Sequence, residues 1–173
     1  RYFVVELITG TLFVLAGLRS SNPLDLATSL VLISCLIAIF YIDYDHFIIP
    51  DELSLTPAAV AVSVDFLKLV YFHAPAAHLL LPWPGKALQV PVPTSLLGLI
   101  VGSGALFVVG WMGTRMFHKE SMGGGDVKLA GAVGACLGFQ WHLLTFFLLS
   151  VILGAFVGII LIGLKKKSGK DYI

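Results

Sequence analysis

The sequence predicts an all-α, polytopic helical membrane protein with about six transmembrane helices, and three observations carry that prediction. Hydrophobic residues make up 58% of the 173-residue chain and charged residues only 12%, where soluble domains carry about a quarter charged. The mean hydropathy is +0.96. Apolar runs close to the ~20 residues that cross a bilayer recur along the chain, and lipid admits only segments that satisfy their own backbone hydrogen bonds. Residues 1–173 therefore read as one membrane-embedded domain with the lipid bilayer as its first partner.

The segments follow in order. The first, 3–18, contains Glu6, an acid that lipid would penalise and that is expected to face a cavity or a substrate. "RSSNPLD" (19–25) has turn chemistry, with Pro23 and a helix-starting Asp25. The second segment, 26–42, runs into "DYDHFIIPDE" (43–52), polar throughout and broken by Pro50. In the third, 53–72, Asp65 and Lys68 lie one turn apart and read as a local ion pair. "HAPAAHLLLPWPGKALQVPVP" (73–93) is too Pro-rich to be one helix and reads as a long loop. The fourth segment, 94–117, ends at "HKESMGGGD" (118–126). The fifth, 127–139, is short for a span and made largely of small residues. Its Gly134 and Gly138 form a small-xxx-small pair, the kind of face along which helix backbones approach closely in lipid. It should be central and protein-packed. "FQWH" (139–142) is a tight hairpin, and the sixth segment, 142–164, has its own Gly154 and Gly158 pair before the basic tail "KKKSGKD" (165–171). Cys35 and Cys136 both fall inside apolar runs, as small core residues rather than a disulfide or a metal site. Trp83, Trp111 and Trp141 fit interfacial belts or loop packing.

The net charge of +1 says nothing about nucleic acid, and no basic, aromatic-interleaved patch appears, so no nucleic-acid partner is expected. Orientation follows from Lys and Arg. With six spans, Arg1, Arg115, Lys119, Lys128, Lys165, Lys166, Lys167 and Lys170 share one side, and Arg19, Lys68 and Lys86 lie at or near the other. The first side is then cytoplasmic. The acidic loops 43–52 and 118–126 both lie there, whatever motifs they hold.

Two residues stand out for chemistry. Asp43 directly follows the apolar run "LISCLIAIFYI", where an ionisable group is a functional candidate. Asp126 precedes the small-residue helix and reads equally as an N-cap, but three glycines before it give up about 1 kcal/mol of helix propensity each. That loosened backbone makes sense where another backbone, or a substrate's, must come close. Two carboxylates brought together cannot both ionise, so one keeps its proton. Such a pair can act as base and acid on a water between them, the aspartic-protease arrangement. A metal site near Asp43, Asp45 and His46 is the weaker account, since only His118 adds a second cytoplasmic histidine and no zinc spacing is present. Lys128 is expected to snorkel to the interface.

At these residues the chain resembles a known family. "IDYDHFIIPDELSL" and "ESMGGGDVKLAGAVGACLG" are similar to the motifs of the type IV prepilin peptidases, GxGD-type aspartyl membrane proteases. The GxGD element maps onto Gly123, Gly124, Gly125 and Asp126. The pattern D-x-D-H-x-x-[LI]-P-D maps onto Asp43, Asp45, His46, Pro50 and Asp51. "RYFVVELITG" resembles the family's segment after its cytoplasmic domain. The resemblance implies an endopeptidase of the bacterial inner membrane, with its site facing the cytoplasm. It would cleave the short basic leader of type IV prepilins and of type II secretion pseudopilins, using Asp43 and Asp126 and no cofactor. Asp45, Asp51, Glu52 and Glu120 would then attract the leader, and the Gly123–Gly125 run would receive the substrate backbone.

Two features depart from the family pattern. Many members are also N-methyltransferases that use S-adenosylmethionine and carry a cysteine-rich, zinc-binding domain, and no such cysteines occur here. The chain also starts at Arg1 and stops at "KDYI", and it reads as a core without the family's first and last helices. The alternatives are a presenilin-like intramembrane protease, which would carry a Pro-Ala-Leu element that is missing after Asp126, or a proton- or cation-coupled transporter built on a broken helix.

Overall fold

The structure, a computed structural model, describes residues 2–71, 77–83, 86–118 and 122–163. The order is α1 (Tyr2–Arg19), α2 (Pro23–His46), α3 (Asp51–Tyr71), β1 (Ala77–Trp83), β2 (Lys86–Val92), α4 (Thr94–Phe117), α5 (Gly124–Leu137) and α6 (Trp141–Gly163). All six helices fall on the six apolar segments. The Pro-rich stretch between α3 and α4 is an antiparallel hairpin with Ala77 opposite Val92 and Trp83 opposite Lys86. Arg1, Lys119, Glu120 and the tail with Lys165, Lys166, Lys167 and Lys170 lie outside the described residues.

Four helices, α1 to α4, are long and apolar enough to cross a membrane. α6 has 23 residues. α5 has 14, about 21 Å at 1.5 Å per residue, which falls short of a ~30 Å hydrocarbon core. Helix ends explain several boundaries. α2 starts two residues before Asp25: Asn22 is its N-cap, accepting from the Leu24 N–H at 3.0 Å, with Pro23 at the first helical position, where a missing N–H does no harm.

The interior is made of small residues. Ala58 and Ala61 of α3 pack on Ala132 and Ala135 of α5, and every residue from Ala130 to Ala135 is buried. Phe3, Phe66, Phe107, Leu153 and Phe156 are exposed, the reverse of a soluble domain. This is the distribution expected where lipid gives helices no hydrophobic drive and packing has to come from close backbone approach. α5 is the hub and touches α2, α3, α4 and α6.

The closest approach is between α4 and α5. A Cβ on Gly98 would collide with the Gly134 carbonyl, one on Gly134 would collide with the Gly98 carbonyl, and one on Gly102 would lie 2.5 Å from the Ala130 carbonyl. The antiparallel register is constant along the pair: Gly138 lies against Thr94, Gly134 against Gly98, Ala130 against Gly102, and Met122 against Gly110. In that register Asp126 is level with Leu106, about 7 Å deeper along α4 than Trp111. The Arg115 guanidinium lies over the Trp111 ring at 5.0 Å, an aromatic and cationic pairing suited to a membrane interface. On α6 a Cβ at Gly154 would meet nothing within 4 Å, so that half of the Gly154/Gly158 pair packs on no described residue of this chain.

At the far end of the bundle, the expected Asp65–Lys68 pair is replaced by two links between helices. The Lys68 ammonium pairs with Asp25 of α2. Asp65 Oδ2 accepts from the Ser95 N–H at 2.9 Å, the Ser95 hydroxyl at 3.0 Å and the Thr94 hydroxyl at 3.2 Å. Pro93, the N-cap residue of α4, offers no side-chain acceptor, so a carboxylate on α3 does the capping. Asp65→Ala is expected to lower stability by about 2 kcal/mol, seen as a lower unfolding midpoint in detergent, with Asp65→Asn losing less. Cys35 and Cys136 are both free thiols, and the Cys136 thiol donates to the Pro57 carbonyl at 3.5 Å.

Candidate active site

Asp43 lies in the last turn of α2. The helix ends at Phe47, whose left-handed backbone (φ 56°, ψ 37°) turns its N–H onto the Asp43 carbonyl at 2.8 Å. An L residue with a Cβ adopts that conformation at some energetic cost, so the tight stop is built in. The Asp43 side chain is exposed and lines a cavity of about 470 Å³ with Phe40, Tyr44 and Phe47. Residues 47–50 then lead into α3, which begins at Asp51.

Asp126 is not the N-cap of α5. Gly123 occupies that position with an extended backbone (φ −69°, ψ 141°), and Asp126 sits in the first helical turn with its N–H on the Gly123 carbonyl at 3.2 Å. Gly124 and Gly125 are helical, so the expected open glycine loop narrows to the approach into α5. None of the three glycines has positive φ. Their use is therefore bare backbone rather than left-handed geometry. A Cβ on Gly125 would lie 3.0 Å from the Ile49 Cβ, whereas one on Gly124 would meet nothing within 4 Å. Packing inside the chain demands glycine at 125. At 124 it leaves open space, and the glycine beside the Asp126 side chain is Gly123, where an added Cβ would lie 3.5 Å from Asp126 Oδ2.

The two loops meet at one end of the bundle. Besides the Ile49–Gly125 contact, the Lys128 ammonium pairs with both Asp51 oxygens, at 2.7 and 2.8 Å. Lys128 therefore does not simply snorkel, because Asp51 engages its charge. Asp43 and Asp126 are both exposed, and no hydrogen bond joins them to each other or to any other described side chain. Asp45 is exposed in the last turn of α2 and Glu52 in the first turn of α3. Glu6 is not brought to this site. It is exposed on α1 and does not line the α1–α2 cavity formed by Val5, Ile8, Leu12, Ile33, Leu36, Ile37, Phe40 and Tyr41. One participant, Ile49, was missed in the sequence, and the partner of another, Lys128, was not foreseen. Ile49 gave no signal beyond its place before Pro50. Lys128 was visible, but its partner lies 77 residues away, beyond any local pattern.

Comparison with known proteins identifies the family. The sequence model of the type IV leader peptidase family matches residues 30–159, a stretch that includes both aspartates, the Gly123–Gly125 run and the α4–α5 pair. The chain belongs to the type IV leader peptidase family. Among curated relatives, a prepilin leader peptidase/N-methyltransferase of Klebsiella pneumoniae is 32% identical over 81% of this chain and 53% of its own length. Those of Pseudomonas putida and Aeromonas salmonicida are 30% and 31% identical over 97% and 95% of the chain and about half of theirs. The chain spans about half the length of the curated relatives it matches. No solved structure matches it. Its apolar helices are those of a membrane protein.

Proposed function

We propose that this chain is an aspartyl endopeptidase that removes the basic leader of type IV prepilins and pseudopilins, with Asp43 and Asp126 acting on one water. The observation that supports this most is the meeting of the two motif segments at one end of the bundle, through Ile49–Gly125 and Asp51–Lys128. The reaction needs one acid ionised and the other protonated. The ionised member takes a proton from water as its oxygen attacks the scissile carbonyl carbon. The protonated member hydrogen-bonds the developing oxyanion. Collapse of the tetrahedral intermediate breaks the C–N bond, and the leaving amine takes a proton from the dyad. The pair then again holds one proton, and no covalent intermediate forms.

The bare backbone of Gly123–Gly125, with Gly123 against the Asp126 side chain, is where a substrate backbone would come close. Asp45 and Glu52 would attract a basic leader, and salt would weaken that attraction. The Lys and Arg asymmetry supports a site on the cytoplasmic side of a bacterial inner membrane. We assign no S-adenosylmethionine or zinc site to residues 1–173. No step above requires either group.

The test is direct. The purified protein in detergent micelles is incubated with a type IV prepilin, and the product is read as a size shift equal to the leader. Replacing the leader's basic residues by glutamine is expected to raise KM by about tenfold while sparing kcat. An intact prepilin, together with ion flux in liposomes, would favour the transporter instead.

A further inference from the structure

We propose that Asp51 and Lys128 form a positioning clamp, which holds the loop after Asp43 against the first turn of α5 and so sets the approach of the two catalytic acids. The kinetic part of this inference rests on the peptidase reading, and its geometric part does not.

Asp43 and Asp126 have no hydrogen bond to hold them together, so something else must fix their separation. Each is tethered a few residues away. Asp51, the first residue of α3, ends the short loop that starts at the Asp43-bonded Phe47. Lys128 follows Asp126 by two residues on α5. Between them the ammonium meets both carboxylate oxygens at 2.7 and 2.8 Å. The apolar half of the clamp is Ile49, seated where Gly125 has no side chain. Catalysis depends on the placement of reacting groups to about 1 Å, so a link this near both acids governs rate even where it adds little to stability. The pair is half-exposed, with 48% and 57% of the two side chains accessible, and is therefore open to screening by salt. The clamp also changes the role of Asp51. Its charge is already matched by Lys128, so it is not a free receptor for a basic leader.

The experiment has two arms. In the kinetic arm, Asp51→Asn and Lys128→Met are each expected to lower kcat on a type IV prepilin by about tenfold or more, with KM within about twofold. Lys128→Arg is expected to retain activity, and the charge swap Asp51→Lys with Lys128→Asp to recover most of the loss. In the geometric arm, Ile49→Cys and Gly125→Cys are combined with Cys35→Ala and Cys136→Ser, and the rate of disulfide formation is followed on a gel. The two positions are close enough for a disulfide. Adding Lys128→Met is expected to slow crosslinking severalfold, and the charge swap to restore it. Unchanged kcat and crosslinking in the single variants would overturn the clamp. So would a rise in KM alone for Asp51→Asn with crosslinking intact, which would make Asp51 a leader contact. If the wild-type chain leaves the prepilin uncut, the peptidase reading falls while crosslinking still decides the clamp.

Discussion

Asp43→Asn and Asp126→Asn are each expected to lower prepilin cleavage by on the order of 10³-fold or more, measured as kcat with saturating substrate. An amide cannot take a proton from the attacking water, nor return one to the leaving amine, so either change breaks the same proton cycle. The losses should not add, and the double variant should be about as inactive as each single one. Folding offers the control. Both side chains are exposed and without a hydrogen bond to any other described side chain, so neither variant should shift the unfolding midpoint by more than the equivalent of about 0.5 kcal/mol. A fully folded single variant that still cuts would remove that aspartate from the mechanism.

The second large effect is on the fold. Gly134→Ala or Gly98→Ala is expected to destabilise the protein by about 3 kcal/mol, the upper end of the range for overpacking. In each case the added methyl meets a backbone carbonyl of the facing helix, which cannot rotate aside as a side chain would. Against a total stability of about 5–15 kcal/mol, that loss should appear as a clear drop in the unfolding midpoint in detergent. Gly10→Ala on α1, where a Cβ meets nothing within 4 Å, should stay within about 0.5 kcal/mol of wild type. Equal midpoints for Gly134→Ala and Gly10→Ala would show that α4 and α5 do not pack as described.

Periodic and compositional signals made much of the fold legible. The six helices follow from apolar run lengths, and the central place of α5 follows from its small residues, because both properties are local. Partners were not legible. Gly134 declares a face fit for close approach, but nothing local says that Gly98 and Gly102 will meet it. Gly154 shows the same pattern and finds no partner among the described residues. Asp65 and Lys68 have ideal helical spacing, yet each finds a better partner across a helix interface, Ser95 and Asp25, and those contacts prevail over the weak local pair. The hairpin 77–92 was hidden by its prolines, which argue against a helix without declaring strands. At the site, the motif residues could be named from their pattern. What joins the two segments, Ile49 on Gly125 and Asp51 on Lys128, is long-range and needed coordinates.

The register of α4 and α5 bears on how any peptide could be cut here. Asp126 stands about 7 Å below the Trp111 level, so hydrolysis would take place in a zone beneath that level. A polypeptide entering it must leave the headgroup layer and come unwound for its final turn, since a helical amide hides its carbonyl in its own hydrogen bonds. The depth of Asp126 would then act as a sieve, admitting chains that can fray at one end and turning away those locked in a rigid rod.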